Sequence, residues 1–374
     1  MAILAKTPPM GFNTWNTFGP NISEQMVMEI ADVIAEQGYR DAGYKYVVID
    51  DCWSLTERDE KGNLVPDPAK FPHGMKYVAD YIHSKGLKFG MYSCAGIRTC
   101  AGYPGSYDHE YQDARLFAAW GVDFLKYDYC HKPASTDGYI CYRRMGMALK
   151  ACGRDILFSA CNWGMHESEK WMRSVGAHMY RSTGDIFDKY PSITKLALSQ
   201  EDKLGYSAAN CFNDIDMLIV GMYGSGNVGL GGCTDAEYRQ HFGWWCMFNS
   251  PLMIGADLRK LNDVSRNLLL NRDLIAINQD PETRPPFRIL GWTIPTYFKH
   301  MDNGEYALGV FNNTDKDMTI YAPLADMGLC KSSGMGMIFK DVFTGEESGV
   351  HTDDFPVSVP THDCRIFRVR LVKA

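Results

Sequence analysis

The chain has no basic surplus: 38 Lys and Arg stand against 45 Asp and Glu, a formal net charge of −7. Nucleic acid and anionic membrane surfaces both need a basic face, so neither is expected as a partner. No stretch approaches the roughly 18 uninterrupted apolar residues of a transmembrane helix, and Met1 to Pro9 carries no secretory-type apolar run. A cytoplasmic location is therefore expected. Twelve cysteines are present, yet none forms a Cys-x-x-Cys pair or has matching His spacing. Zinc is thus not expected, and in a long chain such residues usually stay reduced as small buried hydrophobes. No Gly-x-Gly-x-x-Gly follows the first candidate strand, which speaks against a dinucleotide fold, and no Gly-x-Ser-x-Gly elbow marks a serine nucleophile. Neither a metal nor a cofactor is expected. Disorder is excluded by 45% hydrophobic and 13% aromatic residues.

What is present is a recurrence. Six times a helix-like stretch ends in Gly (38, 86, 121, 153, 176 and 205) and is followed by a short apolar run ending in polar residues. Gly after a helix supplies the left-handed cap that other residues adopt at a cost. The runs are Tyr46 to Asp51, Leu87 to Tyr92, Phe124 to Asp128, Ile156 to Cys161, His178 to Arg181, and a segment near Cys211 to Met217. Before them, Val27, Ile30, Ala31 and Ile34 show helical spacing with Ser23 as N-cap; Ala114, Phe117 and Ala118 do the same. Adding Met10 to Trp15 and Leu252 to Leu258 makes eight βα units, which fits a (β/α)8 TIM barrel better than an open doubly wound sheet.

After Pro286 the texture changes. The segments Trp292 to His300, Tyr306 to Phe311, Met318 to Ala322 and Arg365 to Leu371 are short, β-branched or aromatic, and separated by turn residues. They predict a C-terminal antiparallel β-sandwich without helices. Asp280-Pro281 and Arg284-Pro285-Pro286 mark the boundary, giving a barrel over 1–285 and a β-domain over 286–374. Trp244-Trp245 and the methionines are expected in the core.

Function in a barrel sits where strands end. The candidates there are Trp15, Asp50, Asp51, Tyr92, Lys126, Asp128, Asn162, Trp163, Arg181, Asp185, Asp214 and Asp216. Carboxylates accept hydroxyls directionally and an aromatic face stacks on a pyranose, so the set suits a neutral sugar. Any one Asp after a strand can simply cap the next helix. Asp50-Asp51 is different, because adjacent carboxylates repel unless a ligand or cation shares them. Lys126, two residues from Asp128 on one strand, is expected to lower that carboxylate's pKa, as a nucleophile or a structural ion pair requires. Arg181 and Asp185 straddle a Ser-Thr-Gly turn, either as site residues or as a loop clamp.

These motifs resemble glycoside hydrolase family 27, the α-galactosidase (melibiase) family. The matching stretches are Pro8 to Trp15, Ile49 to Trp53, Lys126 to Cys130, Cys161 to Gly164, Arg181 to Asp185, Asn213 to Leu218, Pro251 to Leu258 and Asn278 to Pro281, in the family's order. The resemblance implies retaining hydrolysis of terminal α-galactosides on small oligosaccharides, through a galactosyl-enzyme intermediate. It implies Asp128 as nucleophile, Asp185 as acid/base and Arg181 as a sugar-binding arginine. Asp50 and Asp51 would hold the 4- and 6-hydroxyls, with Trp15, Tyr92, Cys100, Lys126, Cys161, Trp163, Asp216 and Met217 as further contacts. Asp128 should then stay ionised while Asp185 is raised and protonated, the two lying about 5–5.5 Å apart.

Cys100 and Cys130 match a bridge across the barrel mouth, whereas Cys52 lacks the partner that many relatives carry near Asn21. Phe12, Cys94 and Asn162 depart from the family's usual Trp, acid and Glu. The Gly221 to Gly232 loop is longer than the usual turn, which points to the aglycone side or to contact with a second copy; a homo-oligomer is compatible with it. The alternatives are an α-N-acetylgalactosaminidase, which Cys161 and Trp163 would crowd, a β-L-arabinopyranosidase side activity, and a catalytically inactive sugar-binding barrel.

Overall fold

The computed structural model describes residues 3–291 and 293–374. Eight parallel strands form one curled sheet: β1 (Met10–Asn13), β2 (Tyr46–Val48), β3 (Lys88–Cys94), β4 (Phe124–Asp128), β5 (Leu157–Cys161), β6 (Met179–Arg181), β7 (Phe212–Asp214) and β8 (Leu252–Ile254). Each of β1 to β6 ladders onto the next, and β1 also pairs with β8. The seam between β7 and β8 closes later in the chain, through a parallel bridge from Leu218 to Ile254. Between β7 and that bridge Asp216 adopts φ 103°, a costly conformation for a residue with a Cβ.

Alternation along the strands splits the core in two. Tyr46, Val48, Phe124, Leu157, Met179, Phe212 and Met253 cluster together, while Val47, Phe89, Leu125, Phe158 and Tyr180 join the larger cluster beneath the helices. The first long helix, Glu24–Glu36, buries Val27, Ile30, Ala31 and Ile34 as predicted, and Ser23 Oγ accepts from the Met26 N–H at 3.2 Å. Five of the six expected cap glycines have positive φ; Gly205 lies within a 3-10 turn, Leu204–Tyr206, six residues past the helix that ends at Leu198. Gly176 caps a 3-10 turn, Met172–Val175, where a helix-like stretch was expected. Strands also stop earlier than the apolar runs. Asn13 ends β1 because Trp15–Phe18 turns helical at once.

The second domain has a five-stranded antiparallel sheet, in the order β13 (Met335–Asp341), β15 (Cys364–Lys373), β11 (Glu305–Phe311), β10 (Thr296–His300) and β9 (Phe287–Leu290). A separate pair joins β12 (Met318–Ala322) to β14 (Phe355–Val359). Two short 3-10 turns, Asp302–Gly304 and Lys331–Ser333, interrupt a fold expected to be free of helices. The Trp292 end of one predicted strand lies outside the described residues.

The domains share a core. Trp244 stacks on Phe311 with ring centroids 3.8 Å apart, and the buried Lys299 donates to Asn249 Oδ1 and the Ile277 carbonyl, both at 2.5 Å. No helix among the described residues is long and apolar enough to cross a membrane.

Candidate active site

The C-terminal ends of the strands surround a cavity of about 190 Å³, below the roughly 300–1,000 Å³ typical of drug-sized ligands and suited to one sugar ring. A larger cavity of about 640 Å³ opens where residues such as Asp155, Ile156, Ala177 and His178 precede their strands. That is the opposite rim, and only Asp155 brings it a carboxylate.

At the end of β2, Asp50 and Asp51 are both buried, and their repulsion is met by donors. Asp50 Oδ2 accepts from Asn13 Nδ2 at 2.7 Å and from Lys126 Nζ at 2.8 Å. Asp51 accepts from the backbone N–H groups of Cys52 at 2.7 Å and Ala101 at 3.0 Å, and burial still raises its pKa. Cys100, next to Ala101, is bridged to Cys130 across a Cα separation of 5.1 Å. Cys100, Cys130 and Asp128 are also the one trio of metal-capable side chains among the described residues, with atoms within 4.8 Å. Two of the three sulfur and oxygen donors are tied up in the bridge, so the trio does not make a metal site.

Asp128 ends β4 and is 6% exposed. It accepts from Tyr92 Oη at 3.1 Å and from the Tyr129 N–H at 3.2 Å. Burial raises its pKa and outweighs the downward pull of Lys126, which corrects the expectation of a lowered value. The charge of Lys126 is spent chiefly on Asp50.

Arg181, ending β6, spans two carboxylates: Nη2 meets Asp185 Oδ1 and Nη1 meets Asp216 Oδ1, each at 2.8 Å. Enclosure works to raise Asp185, but the charge and hydrogen bond of Arg181 more than offset it, leaving the pKa lowered in the empty site. The raised value expected for a resting acid falls instead on Asp216, which burial lifts to about 7. Asp216 also accepts from the N–H groups of Ile186 and Met217, both at 2.7 Å.

Of the fifteen residues expected in the site, twelve line this cavity: Trp15, Asp50, Asp51, Tyr92, Cys100, Lys126, Asp128, Trp163, Arg181, Asp185, Asp216 and Met217. Cys161 does not. It is 1% exposed, near enough to Asp128 and Arg181 to feel their charges, and two residues later Trp163 at φ 57° reaches the cavity instead. Asn162 and Asp214 are likewise buried outside its wall. Sequence reasoning passed over Asn16, Ile186, Phe187, Asn227 and Val228 as wall residues. Their one signal was the unusual length of the Gly-rich loop that carries the last two.

A parallel barrel with a carboxylate-lined, aromatic-flanked pocket for one ring defines a glycoside hydrolase. Residues 7–280 match the family model described as alpha galactosidase A, and 292–369 match the alpha galactosidase C-terminal beta sandwich domain. The α-galactosidase of Cyamopsis tetragonoloba is 38% identical over 371 residues, covering 97% of this chain and 86% of that protein. α-Galactosidase A of Cellvibrio japonicus is 41% identical over 334 residues, covering 84% and 78%. The crystal structure of α-galactosidase I from Mortierella vinacea superposes with a TM-score of 0.90 at 31% identity, covering 98% of this chain and 97% of that one. The α-galactosidase of Saccharomyces cerevisiae solved with raffinose gives 0.87 at 28%, also covering 98% of both. The chain belongs to glycoside hydrolase family 27, the α-galactosidases, and hydrolyses α-galactosides.

Proposed function

We propose that the enzyme is a retaining exo-α-galactosidase that removes terminal α-galactosyl residues from oligosaccharides through a covalent galactosyl-Asp128 intermediate. The observation that carries this reading is that Asp128 and Asp185 line one cavity large enough for a single ring. Asp128 attacks the anomeric carbon. Asp185, half in solvent at the mouth, protonates the leaving oxygen and later deprotonates the incoming water. Asp50 and Asp51 take the 4- and 6-hydroxyls, Arg181 and Asp216 the side of the ring near Asp185, and Trp163 closes the wall where a 2-acetamido group would have to fit. Raffinose in the yeast relative is in keeping with this substrate class.

The pKa directions of the empty site are compatible with these roles once the sugar enters. Burial raises the pKa of Asp216 beside the Arg181 it shares with Asp185. A neutral ring that excludes water from Asp185 raises that carboxyl toward the protonated acid the first step needs. Asp128, raised by burial, is pulled back toward ionisation by the charge of Lys126, and as a carboxylate it is the better nucleophile for being poorly solvated.

The division at 285/286 and a cytoplasmic location belong to the same reading. The latter is supported by ten unbridged cysteines, nine of them wholly or partly buried. Proton NMR of a single turnover tests the central claim. An α-galactose product formed first, and its loss in Asp128→Asn, are expected; β-galactose formed first would overturn retention.

A further inference from the structure

We propose that the Gly221–Gly232 loop is a rigid wall of an aglycone subsite, in which Phe187 and Asn227 hold the hexose that leaves. This rests on the assignment of Asp185 as acid/base, because the group that protonates the glycosidic oxygen must face the departing sugar. Phe187 and Asn227 line the cavity together with Asp185, and all three are exposed on its outer side. Asp50, Asp51, Tyr92 and Asp128, which surround the ring being cleaved, are all buried.

The loop is fastened at both ends of this rim. On one side the N–H groups of Asn227 and Val228 donate to the carbonyls of Thr17 at 3.1 Å and Asn16 at 3.0 Å. On the other, Asp188, three residues after the acid/base, is wholly buried. Its carboxylate accepts from the Gly224 N–H at 2.6 Å and Tyr238 Oη at 2.7 Å, while its own N–H donates to the Val228 carbonyl at 3.0 Å. Backbone packs on backbone inside the loop. A Cβ on Gly229 would lie 2.3 Å from the Gly224 carbonyl oxygen, and one on Gly232 would lie 2.7 Å from the Gly224 nitrogen.

The glycines therefore serve compactness, and the loop's position is set by the same segment that carries Asp185. What it presents outward is chemically specific. Phe187 is 41% exposed beside the acid, and among the described residues no side-chain hydrogen bond holds the Asn227 amide. The Lys189 ammonium lies 6.0 Å from the Phe187 centroid and the Asn227 amide packs on Gly19. The other face of the ring and the open edge of the amide, on the same cavity wall, suit a second pyranose: the ring stacks its apolar face and the amide takes a hydroxyl. An alkyl leaving group would use neither.

The test compares kcat/KM for melibiose with that for methyl α-galactoside in wild type, Phe187→Ala, Phe187→Tyr and Asn227→Ala, alongside inhibition by galactose. The melibiose-to-methyl ratio is expected to fall about tenfold in Phe187→Ala and about threefold in Asn227→Ala, with Phe187→Tyr restoring most of it. A ratio that stays within about twofold of wild type in both alanine variants overturns the subsite. Galactose inhibition separates the two levels of the argument. If galactose competes normally and the ratios do not move, only the subsite falls; if galactose does not compete in wild type, the galactose pocket itself is wrong and the subsite falls with it.

Discussion

Lys126 donates to Asp50 on the far side of the intervening strand, at 2.8 Å, and not to Asp128 two positions along its own strand. The lysine thus ties the Asp50 end of the pocket to the Asp128 end while remaining the strongest downward influence on the Asp128 pKa.

Replacing Lys126 by Gln keeps a hydrogen-bond donor and removes the charge. With that pull gone the Asp128 pKa rises further, so the acid limb of the kcat/KM profile moves to higher pH. The rate at its optimum falls on the order of 10²–10³-fold. A pH profile whose acid limb stays in place would show that Lys126 does not act on Asp128.

Asp185→Ala removes the acid without disturbing the core, since the side chain is 63% exposed. Hydrolysis of melibiose should drop about 10²–10⁴-fold, whereas an aryl galactoside with a very acidic phenol, which leaves unassisted, should lose far less. Equal losses on both substrates would remove Asp185 from the acid role.

His241 is fully buried, accepts from the Ile219 N–H at 3.1 Å, and has its pKa depressed by burial from 6.5 to about 3. The unfolded chain therefore binds a proton that the folded one refuses, and stability falls as pH drops from about 6.5 toward 3. The depression corresponds to roughly 4–5 kcal/mol at most. His241→Gln retains an acceptor for Ile219 and should flatten the denaturation midpoint between pH 6 and 4; an unchanged slope would refute the linkage.

Reducing the Cys100–Cys130 bridge, or introducing Cys130→Ser, frees the loop whose Ala101 N–H holds Asp51. The expected result is a KM several-fold higher with kcat affected less. The bridge closes 30 residues, so about 3–4 kcal/mol of stability should also be lost. Kinetics that do not respond to reduction would detach the bridge from sugar binding.

Much of the barrel could be read from the chain because alternation and helical spacing are local signals. Phe124 to Asp128 matches β4 residue for residue, and the Ser23 cap sits where predicted. The failures were of another kind. Three strands, Phe287–Leu290, Met335–Asp341 and Phe355–Val359, were passed over; the last two hold their places by pairing with distant segments, and the first pairs with its neighbour Thr296–His300. The pKa directions of Asp128 and Asp185 also went the other way, since burial and the sharing of Arg181 depend on what surrounds each group and not on neighbours in sequence. Phe187 and Asn227 are 40 positions apart by number, and the buried Asp188 brings their segments together.

The barrel's closing bridge at Leu218 follows directly on Asp216 and Met217, which line the sugar pocket. A ligand that engages Asp216 in the closed barrel stabilises the closed form by mass action, so galactose should act as a clasp on the seam, lowering its opening rate as it fills the pocket.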